Sequence, residues 1–227
     1  MHDKIVGTVM VLVALTLAPY SFSQSKEMSL EPATLRAKYV KIESVSYKAR
    51  KAVRITDAGG QNTPDAERMG IVTGTGFQDG VIEVDLTGDV VPHADPSARG
   101  FVGIAFRVAP DDSKFEAFYL RPKNGRAEDQ LQRNHSAQYI SNPEFPWQRL
   151  RQENPGKYES YVDLVPGEWT KVKIEVRGEK ALLYVQGAEQ PALIVNDLKH
   201  GVSQGAIALW IGPYTVAHFS NLKVTAR

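Results

Sequence analysis

Apolar and polar residues alternate in short runs along most of this chain, and glycine- and proline-rich turns break the runs. In Trp169–Arg177 (WTKVKIEVR) the residues Val172, Ile174 and Val176 fall on one side. In Val81–Leu86 (VIEVDL) Ile82, Val84 and Leu86 oppose Glu83 and Asp85. Tyr158–Val165 and Gly205–Gly212 repeat the pattern. A period of two belongs to a strand with one face in a core. No segment carries a sustained apolar stripe at helical spacing. About ten to twelve short strands between turns imply an all-β fold, a two-sheet antiparallel β-sandwich.

The stretch Gly100–Ser141 organises the rest. In Phe101–Val108, Val102, Ile104, Phe106 and Val108 share one face, with Phe101, Gly103, Ala105 and Arg107 on the other. In Phe115–Arg121, Phe118 and Leu120 share a face with Glu116, opposite Ala117, Tyr119 and Arg121. The second face mixes small residues with Arg and Tyr, which suits a shallow groove, and we read it as the functional surface. The polar segments 123–135 and 142–157 read as loops.

The chain has 227 residues, a net charge of +1 and no cysteine. That balance gives no field for nucleic acid, and the absence of thiols excludes disulfides and thiolate metal sites. Residues 1–23 read as a signal peptide: Lys4, a short apolar core over Ile5–Ala18, then Pro19 and small residues. The apolar run is shorter than the roughly 20 residues a membrane span needs. Residues 24–34 read as a flexible lead-in and 35–227 as one domain. The expected location is secreted or periplasmic, with no transmembrane segment in the mature chain.

From Gly76 onward the chain resembles concanavalin A-like jelly rolls. The carrying residues are FQDGVIEVDL (77–86), GFVGIAFRV (100–108), FYLRP (118–122), GEWTKVKIEVRGEKALLYVQG (167–187) and GAIALWIGPYTVAHFSNLKV (205–224). The pattern is similar to laminin-G-like and lectin/glucanase domains and to the secreted bacterial 3-keto-disaccharide hydrolase-like family. The resemblance implies a curved sheet whose concave face binds glycan. It leaves the activity open, because the fold hosts lectins, hydrolases, lyases and adhesion modules.

Several residues carry candidate chemistry. Arg107, Tyr119 and Arg121 share the groove face, and Glu159, Tyr161, Asp163 and Trp210 can join them from other strands. Aromatic faces stack on pyranose rings, while guanidinium and carboxylate groups pair with hydroxyls. The plainer alternative is rings packed half-buried and arginines paired across strands. The segment Lys123–His135 adds Asn124, Arg126, Asp129, Gln130, Arg133, Asn134 and His135, whose cations suggest an acidic or phosphorylated sugar. Its alternative is a solvated loop with Arg126 paired to Glu128 or Asp129.

The ligand-binding set expected from sequence is therefore Arg107, Tyr119, Arg121, Asn124, Arg126, Gln130, His135, Tyr161 and Trp210. No catalytic residue is assigned. Glu83-Val84-Asp85 begins the E-x-D-x-x-E strand of family 16 glucanases, but the closing Glu is missing. Glu159 and Asp163 share a face at roughly 13 Å along a strand, too far for a retaining pair. No cofactor is expected beyond a possible Ca²⁺ near Asp111–Asp112, which a turn explains more simply. Three functions stay open: glycan binding, cleavage of a glycosidic or keto-glycosidic bond, and adhesion without a small ligand.

Overall fold

A computed structural model of the chain describes residues 25–59 and 67–227. The expected signal peptide lies outside the described residues. In chain order the first strands are β1 (Lys26–Glu27), β2 (Leu35–Lys38), β3 (Val40–Tyr47), β4 (Arg50–Asp57), β5 (Met69–Val72), β6 (Gly80–Val90), β7 (Val102–Val108) and β8 (Phe115–Leu120). Helix α1 (Gln130–Asn134), β9 (Ala137–Asn142), α2 (Trp147–Glu153) and β10 (Glu159–Ser160) follow. The chain ends with β11 (Thr170–Arg177), β12 (Lys180–Val185), β13 (Leu193–Val195), β14 (Ala206–Ile211) and β15 (Thr215–Ala226).

These strands form two antiparallel sheets, as the alternation requires. One has eight strands in the order β13-β12-β11-β6-β15-β4-β3, with β1 attached to β15; the other has seven in the order β10-β9-β8-β7-β14-β5-β2. The fold is an all-β two-sheet sandwich of the concanavalin A-like kind. Turn chemistry matches the sequence. Arg177 pairs with Lys180, so β11 and β12 are joined by two residues, and the first, Gly178, takes φ +59°. A two-residue hairpin needs that left-handed backbone.

The faces follow from register, because directly paired residues in a sheet point to the same side. A side chain at Gly70 would stand 3.1 Å from Ile42 and 3.2 Å from Ile55, both on the eight-stranded sheet. Gly70 therefore faces inward. It pairs with Leu209, Leu209 with Ile104, Ile104 with Phe118, and Phe118 with Tyr139. That row meets Val53, Ile55, Ile82, Val84, Leu86, Val172 and Ile174 in one buried core. Glu116, at the end of the inward face, is fully buried and satisfied. Tyr139 Oη donates to its Oε2 at 2.5 Å and His200 N to its Oε1 at 2.8 Å.

Three segments differ from the sequence reading. In the segment expected as a lead-in, residues 26–28 are paired: Lys26 and Glu27 with Val224 and Lys223, and Met28 N donates to Leu222 O. The two segments read as loops hold α1 and α2. Helix α1 starts where the Asp129 carboxylate accepts from Gln132 N at 2.6 Å. Helix α2 buries just Leu150. Five and seven residues are too few to give a periodic apolar stripe.

Arg107 leaves the face on which alternation placed it. Ala206 pairs with Val108 and Ala208 with Ala105, so β7 spends two residues where β14 spends one. This is a β-bulge, and Arg107 sits in it at φ +53°. The bulge turns the guanidinium away from the outer face and into the end of the sandwich, where its side chain is 0% exposed. It donates to Gln78 O, Gly201 O, Gly178 O and Asp79 Oδ1 at 2.7–3.0 Å. One cation ties β7 to three other segments, at 78–79, 178 and 201, so Arg107 serves the fold. Arg107→Ala removes four hydrogen bonds to part-buried acceptors and leaves a cavity, and should lower unfolding free energy by about 2–4 kcal/mol in urea denaturation.

On the outer face of the eight-stranded sheet, His218 stacks on Tyr47 at 3.8 Å, and its Nδ1 lies 3.1 Å from Thr87 Oγ1. Burial first, and the charge of Arg54 second, push its pKa down from 6.5 to about 4. The native state thus resists a proton that the unfolded chain accepts. This contribution to stability is present above about pH 6.5 and is lost as pH falls toward about 4. His218→Gln should flatten that part of the stability-versus-pH curve, measured by urea melts at stepped pH.

Candidate functional site

The outward face of the seven-stranded sheet carries a row that crosses every strand. Lys38 pairs with Met69, Met69 with Trp210, Trp210 with Gly103, Gly103 with Tyr119, Tyr119 with Gln138, and Gln138 with Glu159. Gly103 is needed at its centre: a Cβ there would come within 2.2 Å of Phe118 O and 2.6 Å of Tyr119 Cα. Across that glycine the Tyr119 and Trp210 rings approach to 4.8 Å. Both are buried, Trp210 to 1% exposure, so they form no open stacking platform. Trp210 Nε1 is buried without a partner among the described residues.

Polarity rises toward the β10 end. Arg121, just past β8, donates Nη2 to Tyr119 Oη at 2.8 Å and to Gln138 Oε1 at 3.2 Å, and Nη1 to His135 O at 2.7 Å. Its guanidinium lies 4.9–5.9 Å from the rings of Tyr119, Trp147 and Phe101. Gln138 Nε2 in turn donates to Tyr139 O and Tyr158 O.

Glu159 ends the row. Its side chain is 5% exposed, and Arg151 of α2 clamps it in two-pronged fashion, with Nη2 to Oε2 at 2.7 Å and Nε 3.1 Å from both oxygens. Arg151 also lies 4.6 Å from the Trp147 ring. His135, just after α1, places Nε2 3.2 Å from Glu159 Oε1. Burial lowers the His135 pKa. The Glu159 charge opposes this, while Arg151 and Arg121 push the same way as burial. The imidazole thus resists protonation beside a carboxylate that Arg151 already pairs.

These groups floor an open cleft of about 480 Å³ lined by Leu131, Asn134, His135, Arg151, Pro155, Gly156, Glu159, Ser160 and Tyr161. The volume falls in the range of small-molecule sites. A larger depression of about 830 Å³ lies between residues 27–31 and β3, β4 and β15. Serines and short apolar side chains dominate it, and no aromatic ring lines it.

The residues expected from sequence part company here. Tyr119, Arg121 and His135 are brought together, with Trp210 two strands away along the row. Tyr161 stands at the cleft mouth, 43% exposed. Asn124 is buried and braces the loop, donating to His135 O and accepting from Gln132 Nε2. Arg126 is exposed and pairs with Asp163 at 2.7 and 3.0 Å rather than with Glu128 or Asp129. Gln130 donates to Asn134 Oδ1 within α1.

Among the described residues no group of three or more His, Cys, Asp or Glu is placed to hold a metal. Asp112 is taken by Arg36 at 2.6 Å on both oxygens, and Asp111 caps Ser113. Glu83 and Asp85 lie on β6, in the other sheet, where Asp85 accepts from Arg50 and Asn221. Gln138 and Arg151 escaped the sequence reading. Parity within 137–142 sets Gln138 opposite Tyr139, a usable signal; nothing in the sequence brings α2 over Glu159.

No family model and no curated protein matches the chain. Among solved structures it is similar to a carbohydrate-binding module, CBM66, from Bacillus subtilis, at 14% identity and TM-score 0.52, over 83% of this chain and 96% of that one. It is also similar to a Bacillus subtilis protein of unknown function with a galectin-like fold, at 12% identity and TM-score 0.53, over 86% and 92%. At such identity the likeness establishes the sandwich fold. Trp210→Ala removes a buried ring and should cost about 3–5 kcal/mol of stability in thermal or urea unfolding. A loss under about 1 kcal/mol would mean that the ring is accessible.

Proposed function

We propose that this chain is an exported carbohydrate-binding protein whose glycan enters the cleft at the β10 end of the seven-stranded sheet. The observation that carries the reading is the pairing, in one open cleft, of an exposed aromatic ring, Tyr161, with the polar side chains of Asn134, His135 and Glu159. Sugar rings present an apolar face and a polar rim, and such a mixture complements both. The fold it shares with a carbohydrate-binding module agrees with this use, as does the leader-like segment 1–23 with export. Among the described residues no helix is long and apolar enough to cross a membrane.

An enzyme is the second reading, because a buried carboxylate touches a histidine at the cleft floor. Glycoside hydrolysis uses two carboxyl groups about 5–10 Å apart. Glu159 is the one carboxylate in the cleft lining, and Arg151 holds both its oxygens. That arrangement favours holding a sugar over cleaving it. Affinity electrophoresis through gels containing soluble plant and bacterial polysaccharides tests the proposal. At least one polymer should retard the protein, and Tyr161→Ala should weaken the retardation by about 1–2 kcal/mol. Retardation by no polymer, or release of reducing sugar from the one that binds, would count against it.

A further inference from the structure

The charge balance of the cleft selects among glycans; this inference rests on the cleft being the glycan site. Arg151 is the cation in its lining, and its guanidinium is spent on Glu159. Burial and the two arginines beside it lower the His135 pKa, against the opposing charges of Glu159 and Asp129. Arg133 lies just outside, over the Tyr161 ring at 5.1 Å, and donates to Tyr161 Oη. Its charge also bears on Asp163, whose pKa is lowered chiefly by the Arg126 hydrogen bond, with Arg133 adding to it.

An anionic sugar would find no spare cation on the cleft floor. To gain one it would have to pull Arg151 from Glu159, leaving a carboxylate that is 5% exposed without its counter-charge. Exposing a buried charge in that way is strongly unfavourable. What the cleft does offer is neutral. Asn134 accepts from Gln130 at its amide oxygen, which directs its NH₂ to other partners. Leu131, 66% exposed, and Tyr161 supply apolar surface at the mouth.

We propose that the cleft binds an uncharged sugar ring, held by hydroxyl hydrogen bonds to Asn134 and covered on its apolar side by Tyr161. This replaces the acidic or phosphorylated sugar suggested by the cations of Lys123–His135. Of those cations Arg126 is paired with Asp163, and Arg133 donates to the neutral Tyr161 hydroxyl at the rim, outside the cleft lining.

The test is affinity electrophoresis of the exported chain in two sets of gels. One set contains mixed-linkage β-glucan, arabinan or galactomannan; the other contains polygalacturonate or alginate. Both are run at about 50 mM and about 500 mM NaCl, which separates charge-driven from neutral binding. A neutral polymer should retard the protein equally at both salt levels. Asn134→Ala should weaken that retardation by about threefold to thirtyfold, with unchanged thermal melting. Salt-sensitive retardation by the acidic polymers, with none by the neutral ones, overturns the inference and leaves the glycan-binding reading intact. Neutral binding that ignores Asn134→Ala and Tyr161→Ala also overturns it. Retardation by no polymer in either set removes both readings.

Discussion

Register governs this molecule. In a sheet a slip of one residue exchanges the buried and outward faces, so each side chain's role depends on which partner stands opposite it. Across the seven-stranded sheet the pairing is continuous from Lys38 to Glu159, and it gathers Trp210, Tyr119 and Gln138 into one line. The single interruption, the bulge at Arg107, moves that side chain from the outer face to the joint between the layers. The same rule thus builds the site and, where broken, locks the two layers together.

Much of the fold was legible because strand alternation is local. Val172, Ile174 and Val176 face the core as their parity demands, and so do Val102, Ile104 and Phe106. What escaped was non-local or too short to leave a pattern. Arg107 obeys the alternation until a bulge intervenes, and a bulge is set by the partner strand. Helix α2 has one buried residue, Leu150, and so no stripe to read. Its consequence is large, since Arg151 reaches Glu159 from it.

The candidate site was legible in part for the same reason. Tyr119, Arg121 and Trp210 fall on the expected side of their strands, but a side says nothing of depth, and Trp210 is buried. His135 and Glu159 are 24 positions apart in sequence, yet 3.2 Å apart in space. The chain reaches that proximity by returning through α2 to lay β10 against β9. Neutrality of the cleft is likewise a property of the assembled pair Arg151–Glu159, while the sequence displays just an abundance of charge.

The attachment of β1 to β15 has a directional meaning. The start of the described chain and its final strand lie side by side in the eight-stranded layer, with Lys26 against Val224. The cleft belongs to the edge of the opposite layer. The strands that hold the first and last pairings of the described residues thus share one layer, while the mouth beside Tyr161 belongs to the edge of the other.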